Sequence, residues 1–100
     1  MPDKLIDEGR FVTGNASRYL QQLCKHFSHK VPVRFDARSG EAELPAGKAT
    51  LAATETELTV VLSADSAEGL DRSRGVIDSH LERFAFREDF KTMNWLRRGP

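Results

Sequence analysis

The sequence predicts an α+β fold, a two-layer sandwich in which an antiparallel sheet of about five strands carries two helices on one face. Three observations predict it. Residues 16–28 and 66–85 carry apolar side chains at helical spacing. Residues 31–62 alternate apolar and polar side chains between short turn-forming stretches. The order is β-α-β-β-β-β-α, with a candidate last short strand near Trp95.

Gly9–Thr13 reads as the first strand. Asn15 or Thr13 is placed to cap the helix that follows. Ala16, Tyr19, Leu20, Leu23, Cys24 and Phe27 form its buried stripe, and Arg18, Gln21, Gln22, Lys25 and His29 point away from it. In 31–35, Val31, Val33 and Phe35 alternate with other residues, and Pro32, which cannot donate to a ladder, puts that strand at an edge. Ser39-Gly40 reads as a turn, and Ala42 and Leu44 as the inward side of the next strand. Pro45-Ala46-Gly47 turns the chain again. Ala49, Leu51 and Ala53 face inward next, then Leu58, Val60 and Leu62.

Asp65-Ser66-Ala67-Glu68 has capping-box spacing, with Asp65 as the cap. Leu70, Ile77, Leu81 and Phe84 give the second helix its stripe. Phe84, Phe86, Phe90 and Trp95 are spaced to close the core, with Met93 and Trp95 on the last strand. The outer sheet face then shows Thr50, Ala52, Thr54, Thr59 and Val61, small side chains that water or a second copy could cover. The domain is expected over 9–96, with a flexible N-terminus at 1–8 and a tail at 97–100.

The chain has 100 residues, 39% hydrophobic and 30% charged, with zero formal net charge. That balance suits one folded domain. It argues against non-specific nucleic-acid binding, which runs on excess Lys and Arg. No apolar run nears the roughly 20 residues that span a bilayer, so no membrane partner is expected. An acidic start without an apolar stretch, and Cys24 as the lone cysteine, predict a reducing cytoplasmic location. Charge is uneven along the chain. Arg10, Arg18, Lys25, Lys30 and Arg34 meet no acid within residues 10–35, which suits either a solvated face or an anionic partner.

Candidate ligands concentrate on the helices. Cys24, His26, His29 and His80 carry the donor types of zinc, copper or iron sites, with Glu82 nearby in sequence. A transition metal is therefore the candidate cofactor, held by His26, His29 and His80. Cys24 and His26 lie two residues apart, roughly 200° around a helix, and diverge. His26 and His80 each sit at the edge of a stripe, so side-by-side helices would bring them together. Arg18, Lys25 and His29 are placed to receive a carboxylate, a phosphate or an acidic chelate. The alternative reading makes Cys24 a core residue and the histidines ordinary rim residues. No phosphate-binding glycine loop, nucleophile elbow or Cys-x-x-Cys is present, which lowers the expectation of an enzyme. A Cys24 nucleophile with His26 or His80 as base is the least favoured reading.

Residues 18–30 (RYLQQLCKHFSHK) and 80–88 (HLERFAFRE), with Trp95 just beyond, resemble the signatures of a bacterial family known as domain of unknown function 2218. The resemblance runs from about residue 9 to 95, and positions of its motif match Cys24, His26, His29 and His80. The family has no assigned activity. Some members stand alone at this length; others are fused to, or encoded near, siderophore-interacting flavin reductases. The resemblance thus implies a non-enzymatic accessory role in iron or siderophore handling. The implied partners are such a reductase or an anionic chelate. No flavin domain is present here, so reductase activity is not implied. A homodimeric or protein-interaction module without a small ligand is the second expectation.

Overall fold

A computed structural model describes residues 4–98. Strand β1 (Leu5–Val12) leads into helix α1 (Ala16–Phe27). Strands β2 (Val33–Phe35), β3 (Ser39–Leu44), β4 (Gly47–Ala53) and β5 (Glu57–Ala64) follow. Helix α2 (Ala67–Phe84), a 3-10 turn (Phe86–Glu88) and strand β6 (Asn94–Arg98) complete the order. The expected sequence of elements holds, with the last strand present. The strands form one antiparallel sheet in the order β2-β3-β4-β5-β1-β6. β2 is an edge, as Pro32 requires.

This order explains the helix layer. β1 lies deep in the sheet and β2 at its far edge, so α1 must cross the face between them. α2 returns from β5 to the opposite edge at β6. Both helices therefore share one face and pack on each other. The apolar stripe of α1 is buried in full, from Ala16 to Phe27. It meets Ala42, Leu44, Ala49, Leu51, Leu58, Val60 and Leu62 from the sheet, and Leu70, Ile77 and Leu81 from α2. Each fully buried Leu or Ile contributes roughly 1.5–3 kcal/mol of transfer free energy.

Several local expectations are corrected. The turn between β2 and β3 is at Asp36-Ala37-Arg38, not Ser39-Gly40. The Asp36 carboxylate accepts hydrogen bonds from the backbone N–H of Arg38 (2.7 Å) and Ser39 (2.9 Å), which closes the turn earlier. Gly40 is instead a strand residue under Cys24. A Cβ there would lie 2.8 Å from the Cys24 Sγ, so the close approach of α1 to β3 requires glycine. α2 is capped by Ser66, whose hydroxyl accepts from the Gly69 N–H (3.1 Å). Asp65 pairs with Lys4 and Glu68 with Arg72, so the expected capping box does not form. Neither Asn15 nor Thr13 caps α1 through its side chain. The Thr13 hydroxyl accepts from the Asn15 N–H and donates to Glu88.

β1 begins at Leu5 and β6 runs to Arg98, so residues expected as loose ends are strand. The reason is Asp7. It points inward and is fully buried. Arg97 holds it from the paired strand (2.8 and 3.2 Å), and Arg74 from α2. Arg97 also reaches Asp71 (2.7 Å), while Arg74 lies over the Trp95 ring. Expected loose residues 1–3 and 99–100 lie outside the described residues.

The C-terminal aromatics divide. Phe90 is buried and packs on Phe11; Phe84 and Trp95 are half-buried. Phe86 is 67% exposed, because the 3-10 turn rotates it off the core. The outer sheet face shows Thr50, Ala52, Thr59 and Val61 as expected. Thr54 lies in the β4–β5 turn instead. The register sets Val61 between Thr50 and Glu8, and Glu41 pairs with Lys48 across β3 and β4, so the face is more charged than expected.

Candidate functional site

α1 and α2 pack side by side, and their adjacent rims bring His26 and His80 together. The imidazole centroids are 4.4 Å apart, with the planes tilted by 54°. Phe27 and Phe84 flank the pair, Phe27 lying 5.3 Å from the His80 ring and Phe84 6.4 Å from that of His26. The His80 Nδ1 is 2.6 Å from the Val76 carbonyl oxygen. A ring nitrogen facing a carbonyl must donate, so neutral His80 keeps its proton on Nδ1 and its lone pair on Nε2.

The two rings stand at the mouth of an open recess of about 220 Å³. Phe27, Val31, Leu44, Pro45 and Val76 form its apolar walls, and Lys30, in the turn that follows α1, lines it as well. The recess exists because α1 ends at Phe27. Lys30 and Val31 N–H both bond the Phe27 carbonyl, which curls the chain away toward β2 (2.9 Å each). The β3–β4 turn at Pro45 then forms the opposite wall.

The charged groups around the mouth share one sign. The His26 pKa is lowered from its ordinary value, first by desolvation, then by the positive field of His80, Lys30, His29 and Arg83. A recess with hydrocarbon walls and a cationic lip matches a small anion that carries an apolar group.

The other candidates separate. Cys24 is fully buried against Gly40, and burial pushes its thiol up to about 11. It can neither attack a substrate nor reach a ligand beside His26, so the nucleophile reading fails. His29 sits past the helix end, exposed, outside the recess. Glu82 is exposed two residues beyond His80, on the far side of α2. Arg18 and Lys25 border a separate shallow surface with Ser17 and Gln21. Among the described residues, no three His, Cys, Asp or Glu side chains are placed to hold a metal ion together. The expected His26–His29–His80 set is therefore reduced to the His26–His80 pair.

Sequence reasoning missed Lys30, Val31, Leu44, Pro45 and Val76 as lining residues. The i, i+4 spacing of Val76 with His80 on α2 was the available signal. Nothing local marks Leu44 and Pro45, which arrive from the sheet.

A family model described as an uncharacterized protein conserved in bacteria (DUF2218) matches residues 8–96. The chain belongs to this family. As a DUF2218 chain it also resembles a solved structure in fold, PA4090 from Pseudomonas aeruginosa, determined by NMR. The two align with a TM-score of 0.74 at 22% identity, over 94% of this chain and 95% of that one. This supports the α+β fold. No curated protein matches the DUF2218 chain. No helix among the described residues is long and apolar enough to cross a membrane.

Proposed function

We propose that the protein is a non-enzymatic binding domain. Its His26–His80 recess receives the apolar end of an anionic small molecule, in a cytoplasmic accessory role to the handling of iron chelates. The observation that carries this reading is the pairing of two imidazoles over hydrocarbon walls beside Lys30. The link to iron chelates draws on the family resemblance alone.

Size limits the ligand. Sites for drug-sized molecules run to about 300–1,000 Å³, and this recess has about 220 Å³. It can hold one ring or one short chain, so a large chelate would insert a single arm and keep the rest in solvent. Charge limits the ligand further. A bare divalent cation would meet only two imidazoles inside a positive field, which disfavours it against an anion.

Calorimetric titration with ferric catecholate and ferric hydroxamate complexes tests the proposal, on the natural chain and on Val76→Trp, which fills the recess. At least one complex should bind with one-to-one stoichiometry, and Val76→Trp should weaken it tenfold or more. Absence of binding, or equal binding to the variant, contradicts the reading.

A further inference from the structure

We propose that the recess selects a ring-bearing monocarboxylate and takes it up together with a proton on His26. This deepens the reading of the site given above and rests on it.

The ligand class follows from the lining. Phe27, Val31, Leu44, Pro45 and Val76 offer carbon, and only the lip offers charge. A flat apolar group suits walls that include Phe27 and Pro45, leaving the anionic end at the imidazoles and Lys30. One ring fills much of a space this small, so a second charged group on the buried end would have no partner.

The proton follows from what faces His26. From the turn just past α1 come His29 and Lys30; from α2 come His80 and Arg83. Leu44 and Pro45 of the β3–β4 turn are uncharged. Among the described residues that line the recess, none is an acid. Without a ligand an imidazolium at His26 faces water and neighbouring cations, with no carboxylate in the recess lining to pair with it. A bound carboxylate supplies the missing negative charge and accepts its hydrogen bond. Ligand and proton therefore favour each other, by the same factor in both directions. Lys30 also lines the recess and gives the carboxylate a part of its affinity that does not depend on His26.

The test is benzoate binding, followed by NMR at about pH 5.5 and about pH 7.5. Acetate and benzyl alcohol serve as probes that lack the ring or the charge. A carboxylate near pKa 4 stays ionised over this range. Benzoate should bind more tightly than either control, and about fivefold or more tighter at the lower pH. His26→Gln, an exposed substitution, should flatten the pH dependence and leave residual binding through Lys30. Equal benzoate affinity at both pH values would overturn the proton linkage while leaving the recess as a site. An unchanged pH dependence in His26→Gln would do the same. If benzoate fails at every pH while a ferric chelate binds in a Val76-dependent manner, the ligand class is wrong and the site stands. If neither binds, both readings fall.

Discussion

His26 on α1 and His80 on α2 face each other across the helix interface, 4.4 Å between ring centroids. Their proximity is measurable without any ligand. Part of what lowers the His26 pKa is the field of His80, after desolvation. His80→Ala should therefore move the His26 titration midpoint upward, followed through its ring protons by NMR. An unmoved midpoint would mean that the rings do not interact in solution.

Asp7 is fully buried and is held by Arg97 and Arg74. Burial pushes its pKa up, but the hydrogen bonds and charges of Arg97 and Arg74 outweigh this, and the net shift is downward. A lowered folded value means that Asp7 stabilises the fold above its unfolded pKa near 3.8. That contribution is lost as pH falls through the folded value. Asp7→Ala should cost about 3 kcal/mol in urea denaturation near neutral pH. This is the lower end for breaking a buried pair, since both guanidinium groups keep some contact with water. The variant should also lose less stability than the natural chain below about pH 4. A cost under about 1 kcal/mol would show that β1 and β6 do not depend on this cluster.

Cys24 and Gly40 make a second structural test. Gly40→Ala should destabilise by about 1–3 kcal/mol, since its methyl meets the Cys24 sulfur at 2.8 Å. Adding Cys24→Ala should return part of that loss, a coupling that a double-mutant cycle reads directly. The native thiol should also stay inert to a thiol reagent near pH 8, with a pKa pushed up to about 11. Fast labelling in the folded state would reopen the nucleophile reading.

The Glu88 carboxylate accepts hydrogen bonds from the Thr13 hydroxyl, the Asn15 amide and the Tyr19 hydroxyl. These bonds tie the turn after α2 to the start of α1, which lacks a side-chain cap of its own. Glu88→Ala should cost roughly 1–3 kcal/mol, because the buried Tyr19 hydroxyl loses a charged partner. Thermal denaturation checks the value. Loss of less than half of the lower figure would assign the start of α1 to packing alone.

Periodicity carried most of the architecture. The stripe of α1 and the alternation of β5 are dictated by burial on one side, and both are legible residue by residue. The meeting of His26 and His80 was legible for the same reason, since both flank stripes on helices that share a face. What escaped was set by partners distant in sequence. Asp7 looks like a surface acid until Arg97, from the other end of the chain, pairs with it. Ser66 displaced Asp65 as cap because its backbone is the one extended before the first helical turn. Phe86 resembles a core aromatic by composition, and only the 3-10 turn turns it outward. The recess wall at Pro45 depends on where a sheet turn ends, which helix periodicity does not encode.

The most direct test of the site is a map of backbone and imidazole chemical-shift changes as benzoate and ferric catecholate are added. The largest changes should fall on His26, Phe27, Lys30, Val31, Val76 and His80. Changes centred on Thr50, Val61 and Glu8, across the outer sheet face, would place the binding surface on the wrong side of the molecule for this account.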